Sequence, residues 1–474
     1  MRKLAWLAAA IAGLASCGDN NDNQTPDAPP VNPDAPPDGP PGFEVPTPFA
    51  VRLAAAGPDQ LQSATAAPDG KFYAAGFAGA TTTGPRFVTV VKLTTTGLDP
   101  AFGANGVFTS AVEFRGGAGE VGIATQPSGK IVVSATVANA VNPNDRDIAV
   151  LRLDPDGTLD TTFGVAGVSV INLSTAHDNG TALVGLDAAR GISVDDTGRI
   201  YVLAVSRGEG LASGGGPRTD TDFTVARLTS DGALDLTWGT VGKHQLDIQE
   251  SNATPRGLRA LPDGAVIVGG YANSPGLGSV QAVLYRLTTV GALDTTWATG
   301  GLFHDTVLAL QTEIYNFAIH GENIVTAGYG RDSGTANEYV SLRFNLATGV
   351  RDLTWGGTTN GAALVDPSGA KLGSNCRNAV ALPGGRTALI GSLGPANLPA
   401  QDAVLVILGA DGKVDTTTYG DGIHTFALGA DGNDQLWGGA VSGDAAIFVG
   451  YKGGGATQTE TTNDDAYAVV LPLR

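Results

Sequence analysis

The sequence predicts an all-β fold, a seven-bladed β-propeller of four-stranded antiparallel blades. Three observations predict it: glycine makes up 68 of the 474 residues, a unit of about 60 residues recurs seven times, and every unit carries the tight-turn residues of a β-hairpin. The chain is 42% hydrophobic, which excludes a disordered protein. Its formal charge of -18 argues against a nucleic-acid partner, because phosphate binding depends on Lys and Arg.

Each unit begins with a small apolar strand that ends in a tight turn. Asp, Asn and Gly are common in these turns because they tolerate the left-handed backbone angles of a two-strand reversal. A second strand, a variable polar loop and a β-branched third strand follow. The seven turns lie at residues 68–70, 127–129, 196–198, 262–264, 320–322, 383–385 and 442–444.

A denser motif follows six of the seven third strands. An aspartate stands three or four residues before an aromatic residue, and glycine usually comes next. We predict that the aspartate has a structural role, capping a single helical turn through its carboxylate. Ala298 replaces the glycine in the fourth copy, and the last copy has one extra residue between Asp415 and Tyr419, so distorted turns are expected in both. The six aspartates are Asp99, Asp160, Asp235, Asp294, Asp352 and Asp415.

The first copy of this motif, Gly97-Leu98-Asp99 to Phe102-Gly103, resembles the Gly-x-Leu-Asp-x-x-Phe-Gly motif of the bacterial delta-60 repeat family. The resemblance extends over all seven units, from residue 59 to the end of the chain. It implies a β-propeller, and it implies no particular reaction.

The seventh unit ends at Arg474, after its third strand, and lacks a fourth. Residues 49–54 are expected to supply that strand by pairing alongside residues 467–473. This pairing would close the ring and remove an unpaired sheet edge that invites aggregation. We therefore expect residues 48–474 to form a single monomeric propeller domain.

The N-terminus has the pattern of a bacterial lipoprotein. Arg2 and Lys3 precede eleven apolar residues, too few to span a bilayer, and Leu14-Ala15-Ser16-Cys17 resembles a lipobox. We predict a signal peptide at 1–16, lipidation of Cys17, and a disordered, acidic, Pro-rich tether at 17–47. The protein would be held at the bacterial cell envelope by this lipid anchor, on the outer or inner membrane, facing the periplasm or the exterior. The alternative is a secreted protein with an incidental cysteine.

Four polar residues share one column of the first strands, seven residues before the turn. They are Arg190, Arg256, Arg377 and Gln62. Because first strands line the channel of a propeller, the guanidinium groups could gather at its mouth and select a carboxylate- or sulfate-bearing ligand. The alternative is that each Arg pairs with a nearby carboxylate, such as Asp187 or Glu250, and joins two blades.

The loops between second and third strands diverge in length and composition, and they share one face of the predicted disc. Binding residues on rigid scaffolds usually lie on loops, so we expect this face to bind the ligand. The alternative is that long loops are merely tolerated there. The loops are residues 78–86, 138–147, 207–222, 272–281, 330–338, 394–402 and 452–465.

Signals of catalysis or metal binding are weak. The five histidines lack metal-ligand spacing, residues 154–160 match only part of a calcium loop, and neither a nucleophile elbow nor a phosphate loop occurs. We predict no catalytic residue, metal or cofactor, and a non-catalytic binding module for an unknown protein, glycan or anionic ligand. The alternatives are a propeller hydrolase or lyase acting on a polysaccharide, lactone or peptide, and a purely structural protein.

Overall fold

The computed structural model describes residues 45–53, 57–174, 177–178, 183–184, 187–394, 401–428, 433–453 and 465–473. The chain separates into two units, Met1–Gly42 and Phe43–Arg474, and every described residue belongs to the second. The predicted signal peptide, Cys17 and most of the predicted tether lie outside the described residues. Within the described part, no helix is long and apolar enough to cross a membrane.

The described residues form an all-β, propeller-like fold. Most strands are buried on both faces, where small and β-branched residues predominate. Single 3-10 turns lie at Trp355–Gly357 and Pro383–Gly385. The first strands are β1 (Thr47–Ala50), β2 (Asp59–Ala66), β3 (Phe72–Gly79), β4 (Arg86–Leu93), β5 (Val107–Phe114), β6 (Val121–Thr125), β7 (Ile131–Ala138), β8 (Arg146–Leu153), β9 (Val168–Ile171), β10 (His177–Asp178) and β11 (Leu183–Val184). Next come β12 (Ala188–Val194), β13 (Ile200–Arg207), β14 (Thr221–Leu228), β15 (Lys243–Leu246), β16 (Ala253–Ala260), β17 (Val266–Asn273), β18 (Val280–Leu287), β19 (Leu302–Asp305), β20 (Gln311–Thr312), β21 (Asn316–His320) and β22 (Asn323–Arg331). The last are β23 (Glu338–Asn345), β24 (Ala362–Val365), β25 (Ser374–Ala381), β26 (Thr387–Leu393), β27 (Asp402–Leu408), β28 (Ile423–Phe426), β29 (Gln435–Ser442), β30 (Ala445–Lys452) and β31 (Asp465–Pro472).

Five sheets are four-stranded and antiparallel, in the orders β2-β3-β4-β5, β6-β7-β8-β9, β12-β13-β14-β15, β25-β26-β27-β28 and β1-β31-β30-β29. The groups β16–β19 and β21–β24 do not remain separate sheets. The two-residue strand β20 pairs with both β18 and β22 and joins the groups into one nine-stranded sheet, because the connection from β19 runs between them. Strands β10 and β11 form a small hairpin.

The first and last described strands pair with each other. β1 runs antiparallel to β31, from Thr47 opposite Val470 to Ala50 opposite Tyr467. The pairing therefore begins and ends earlier than the predicted strand at residues 49–54. Asp59 adds a side-chain bond, since its Oδ1 accepts the backbone N–H of Ala466 at 2.6 Å.

The core lies between adjacent sheets rather than within one layer. One apolar cluster joins β3 and β4 to β6, β7 and β8, and comparable clusters lie between later neighbours. The innermost strands contact one another in the order β2, β6, β12, β16, β21, β25 and β29, and β29 also contacts β2. These innermost strands position the site described below.

In five of its six copies, the Asp-aromatic motif links one unit to the next through a backbone hydrogen bond between described residues. In the second unit, Oδ1 of Asp160 accepts the N–H of Thr162 at 3.1 Å, while Lys130 and Arg152 each lie 2.7 Å from Oδ2. Phe163 is fully buried, and the following Gly164 donates its N–H to the backbone carbonyl oxygen of Asp231 in the next unit at 3.0 Å. The same Asp-to-backbone bond occurs at Asp99, Asp235, Asp294, Asp352 and Asp415.

The expectation of a distorted turn at Ala298 is wrong. Ala298 has a φ of 47°, close to the 57° of Gly239 at the equivalent position. It also donates the equivalent inter-unit bond, to Thr348 O at 2.8 Å. The joint between units holds an alanine in the left-handed region, where an L-residue is strained.

Candidate functional site

One residue in each innermost strand stands at the same point, where the pairing with the second strand shifts register. In five units this residue is bulged out of the ladder. In the other two units it directly precedes the strand, and Tyr315 keeps a backbone bond to Ala327. The seven residues, here called the ring column, are Gln62, Glu120, Arg190, Arg256, Tyr315, Arg377 and Trp437.

Glycine on the second strand makes room for the bulge. A Cβ added to Gly270 would lie 2.3 Å from the carbonyl oxygen of Thr254, and one added to Gly391 would lie 1.9 Å from that of Asn375. Only glycine permits such a close backbone approach. The bulge therefore depends on these glycines, and it turns the ring column toward the space between the innermost strands.

Two adjoining cavities lie in this space. The larger, about 400 Å³, is lined by residues of all seven units. The smaller, about 350 Å³, is bordered by Phe77 and Arg86, which flank the predicted variable loop 78–86. Five ring-column residues border both cavities and are here called the neck: Arg190, Arg256, Tyr315, Arg377 and Trp437.

The structure brings the predicted Arg190, Arg256, Arg377 and Gln62 together around the larger cavity. The sequence analysis missed Glu120, Tyr315 and Trp437. Their distance to the turn is eight residues in the second unit and six in the fifth and seventh, whereas the predicted column lies seven residues before it. Counting back from the second-strand glycine would have narrowed the position to two residues in five units, since the ring column lies 14 residues before Gly76, Gly270 and Gly391 and 13 before Gly328 and Gly450.

Gln62 and Arg190 connect neighbouring units. Oε1 of Gln62 accepts the backbone N–H groups of Glu120 and Val121, both at 3.1 Å. Arg190 forms an ion pair with Glu120, with Nη1 3.0 Å from Oε1. Burial lowers the pKa of the Arg190 guanidinium, which the pairing with Glu120 partly offsets. This part of the ring column acts as a blade-to-blade contact.

The prediction that Asp187 or Glu250 pairs with an arginine of the ring column is wrong. Asp187 accepts hydrogen bonds from the backbone of Leu173 and Ser174, and Glu250 accepts them from Ser213. Both carboxylates lie near in sequence to an arginine, but their hydrogen bonds are made within the loop connections. The carboxylate that pairs with Arg190 comes instead from the neighbouring unit.

Arg256 contacts tyrosines instead of a carboxylate. Its Nη2 donates to the hydroxyls of Tyr271 and Tyr315, both at 3.2 Å, and its Cζ lies 4.4 Å from the Tyr315 ring centroid. Its Nε is buried and has no hydrogen-bond partner. Among the described residues, no carboxylate oxygen lies within 4 Å of its nitrogens.

Arg377 lies between two aromatic rings. Its Cζ is 4.8 Å from the ring centroid of Tyr315 and 4.7 Å from that of Trp437, and the residue is only 5% exposed. Arg377 donates no side-chain hydrogen bond to any described residue, and its buried Nε has no partner. A guanidinium offers five N–H donors, and the described residues accept none of them.

Two acidic side chains near the neck respond to its positive charge. Burial alone would raise the pKa of Tyr315, but Arg256 and Arg377 outweigh burial and lower it. Burial raises the pKa of Glu313 to about 7, although a bond from Gln311 and the fields of Arg256 and Arg377 act against this. The environment thus lowers the pKa of a tyrosine and raises that of a carboxyl group to about 7.

A cluster of three aspartates elsewhere is a salt-bridge network. The carboxylates of Asp220, Asp222 and Asp247 approach within 4.8 Å of one another. Arg218 donates to all three, at 2.6 Å to Asp222 and 2.7 Å to Asp247. The guanidinium therefore occupies the place a cation would take, and we assign no metal to this cluster.

Residues 126–163 and 261–296 match the family model described as a domain of unknown function (DUF5122) beta-propeller. No curated protein matches the chain. A crystal structure of a protein of unknown function from Dyadobacter fermentans is 11% identical, with a TM-score of 0.43, covering 90% of this chain and 99% of that one. The polysaccharide lyase Uly1 is 8% identical, with a TM-score of 0.43 and coverages of 87% and 90%. The β-propeller domain of the Trilobed protease from Pyrococcus furiosus is 11% identical, with a TM-score of 0.40 and coverages of 88% and 94%. The family match and the sheet pattern together support a β-propeller repeat protein.

Proposed function

We propose that this protein is a lipid-anchored envelope protein whose delta-60-type propeller is a non-catalytic binding module. The ligand enters from the face of the variable loops and reaches the neck. One observation carries this proposal: Arg256 and Arg377 border both cavities, and neither has a carboxylate partner among the described residues. Polar groups left unpaired in an enclosed space are a feature of binding sites.

Seven blades closed by the N-terminal strand are part of the proposal. The seven innermost strands contact one another in succession and return from β29 to β2, which supports a ring. The pairing of β1 with β31 supports closure, since it covers the edge of the last unit. We count the nine-stranded sheet as two blades bridged by β20.

The anchor rests on the sequence Leu14-Ala15-Ser16-Cys17. Lipidation of Cys17 and a tether at 17–47 would hold the propeller at the cell envelope. Metabolic labelling with palmitate tests this. Label on the wild type that is lost in Cys17→Ser, together with release of that variant from the membrane fraction, supports the anchor; an unchanged label rejects it.

The binding role is tested by applying the purified protein to a glycan and peptide array and then assaying any ligand for turnover. Binding without product supports the module, and a product rejects it. Absence of binding to every ligand class would favour a purely structural role.

A lyase or hydrolase is the second candidate, and Tyr315 is the observation that favours it. The Tyr315 hydroxyl lies 3.2 Å from Nη2 of Arg256 and 3.1 Å from the Tyr329 hydroxyl. A phenol whose pKa is lowered by two cations can act as a general base. The turnover assay on Tyr315→Phe separates the two functions, since only an enzyme would lose product formation while retaining binding.

A further inference from the structure

Three arginines, Arg190, Arg256 and Arg377, place positive charge in the neck. Arg190 is paired with Glu120. Arg256 and Arg377 have no carboxylate oxygen within 4 Å among the described residues, and their closest contacts are Tyr271, Tyr315 and Trp437. Enclosing a charge without a partner is costly, so a persistent arrangement of this kind points to a counterion supplied from outside the chain.

The two arginines share one tyrosine. Their Cζ atoms lie 4.4 Å and 4.8 Å from the Tyr315 ring centroid, and the ring of Trp437 lies on Arg377 as well. Aromatic contacts occupy the faces of a guanidinium and hold its plane in position. The N–H groups lie along the edge of that plane. Nη2 of Arg256 donates to two tyrosine hydroxyls, whereas the N–H groups of Arg377 make no side-chain hydrogen bond to a described residue and can meet the oxygens of a carboxylate or sulfate.

The size of the space limits the ligand. The cavities on the two sides of the neck measure about 350 and 400 Å³. Since one water molecule takes a share of about 30 Å³, each cavity holds a group of monosaccharide size together with some water. A longer glycan would have to insert a single charged sugar unit into one of these cavities.

We propose that Arg256 and Arg377 form an oxyanion site, floored by Tyr315 and Trp437, that binds a carboxylate or sulfate group entering from the variable-loop side. The inference rests on the proposed binding function and names the chemistry of its ligand. The anion is either a free small molecule or the charged group of a glycan. Its negative charge offsets part of the positive charge of two guanidinium groups that have no carboxylate partner within 4 Å among the described residues.

Isothermal titration of the purified protein at constant ionic strength tests the proposal. The probes are sodium sulfate, galacturonate and oligogalacturonate, with galactose as the neutral match. We expect binding of one anion per chain and no heat with galactose. A tighter interaction with the oligomer than with the monomer indicates a glycan, and equal affinity indicates a free small anion.

Variants locate the site. Arg377→Met keeps the side-chain volume but removes the charge, and we expect it to weaken anion binding at least about thirtyfold. Arg256→Lys keeps the charge but loses the paired N–H donors of the guanidinium, and we expect it to weaken anion binding about tenfold. Arg115→Met is the matched control: Arg115 is exposed, pairs with Glu113 at 3.2 Å and borders neither cavity, so its loss should leave affinity within about twofold.

Absence of heat with every anion, or an equal loss in Arg115→Met, overturns the oxyanion site. If Arg377→Met does not fold, as judged by circular dichroism, the Arg256→Lys titration decides the outcome alone. A neutral ligand found on the array would leave the proposed binding function standing while rejecting this inference. No binding to either the array or the anions would reject both.

Discussion

Replacing Glu313 by glutamine should change how the stability of the propeller depends on pH. The groups that face Glu313 are the side chain of Gln311, the guanidinium groups of Arg256 and Arg377, and the hydroxyl of Tyr329. Burial dominates, and it raises the pKa from its ordinary 4.5 to about 7. A carboxyl group with a raised folded-state pKa stabilises the fold while it stays protonated, and that contribution is lost as the pH rises through the folded-state value.

The size of this pH effect on the free energy of unfolding follows from the pKa of Glu313 in the unfolded state, 4.5, and in the folded state, about 7. Each tenfold change in proton affinity corresponds to about 1.4 kcal/mol, so the wild type loses about 3 kcal/mol between pH 4.5 and pH 8 through this one group. Glu313→Gln cannot ionise and lacks this loss. The free energy of unfolding of the variant, minus that of the wild type, should therefore increase by about 3 kcal/mol over the same range.

Chemical denaturation of both proteins at pH 4.5, 6, 7 and 8 measures this difference. Asp187, Asp222 and Asp434, whose pKa values burial raises to about 6, are present in both proteins and cancel. Glu322→Gln, at an exposed turn, controls for the loss of one negative charge. A difference that stays constant to within about 0.5 kcal/mol across the range would refute the argument that burial holds Glu313 protonated.

Three further perturbations test the joints between units. Ala298→Gly should raise the free energy of unfolding by about 1 kcal/mol, because it relieves an alanine in the left-handed backbone region. Gly239→Ala at the equivalent position should lower the free energy of unfolding by more than about 1 kcal/mol, since its Cβ would lie 2.3 Å from a backbone oxygen. Denaturation curves of each variant beside the wild type check both. Glu120→Gln leaves Arg190 without its carboxylate and should lower the free energy of unfolding by about 3 kcal/mol. The double variant with Arg190→Met should recover most of this loss. A double-mutant cycle without coupling energy would contradict the ion pair. Deleting residues 45–53 exposes the edge of the last strand and should cost about 4 kcal/mol, at about 1 kcal/mol per paired residue; an unchanged melting curve and a monomeric elution profile would contradict closure.

Much of the fold was accessible from local sequence because each unit repeats the same short-range chemistry. The Asp and Gly turns mark strand ends, and Asp160 makes the backbone bond that its motif predicts. The equal spacing of Arg190, Arg256 and Arg377 before their turns was enough to place them together. The partner of Arg190 was not predictable in this way, because Glu120 lies 70 residues away and is brought near only by packing between units.

The sequence by itself determined the repeat, the strand pattern and the column that carries the arginines, since these depend on period-2 alternation and on turn residues within one unit. Only the tertiary structure decided which of these arginines are satisfied. The neighbouring ring-column residue is a carboxylate, Glu120, at Arg190, but the aromatic Tyr315 and Trp437 contact Arg377. Whether a buried charge finds a partner depends on distances between neighbouring units, and no pattern within a single repeat contains that information.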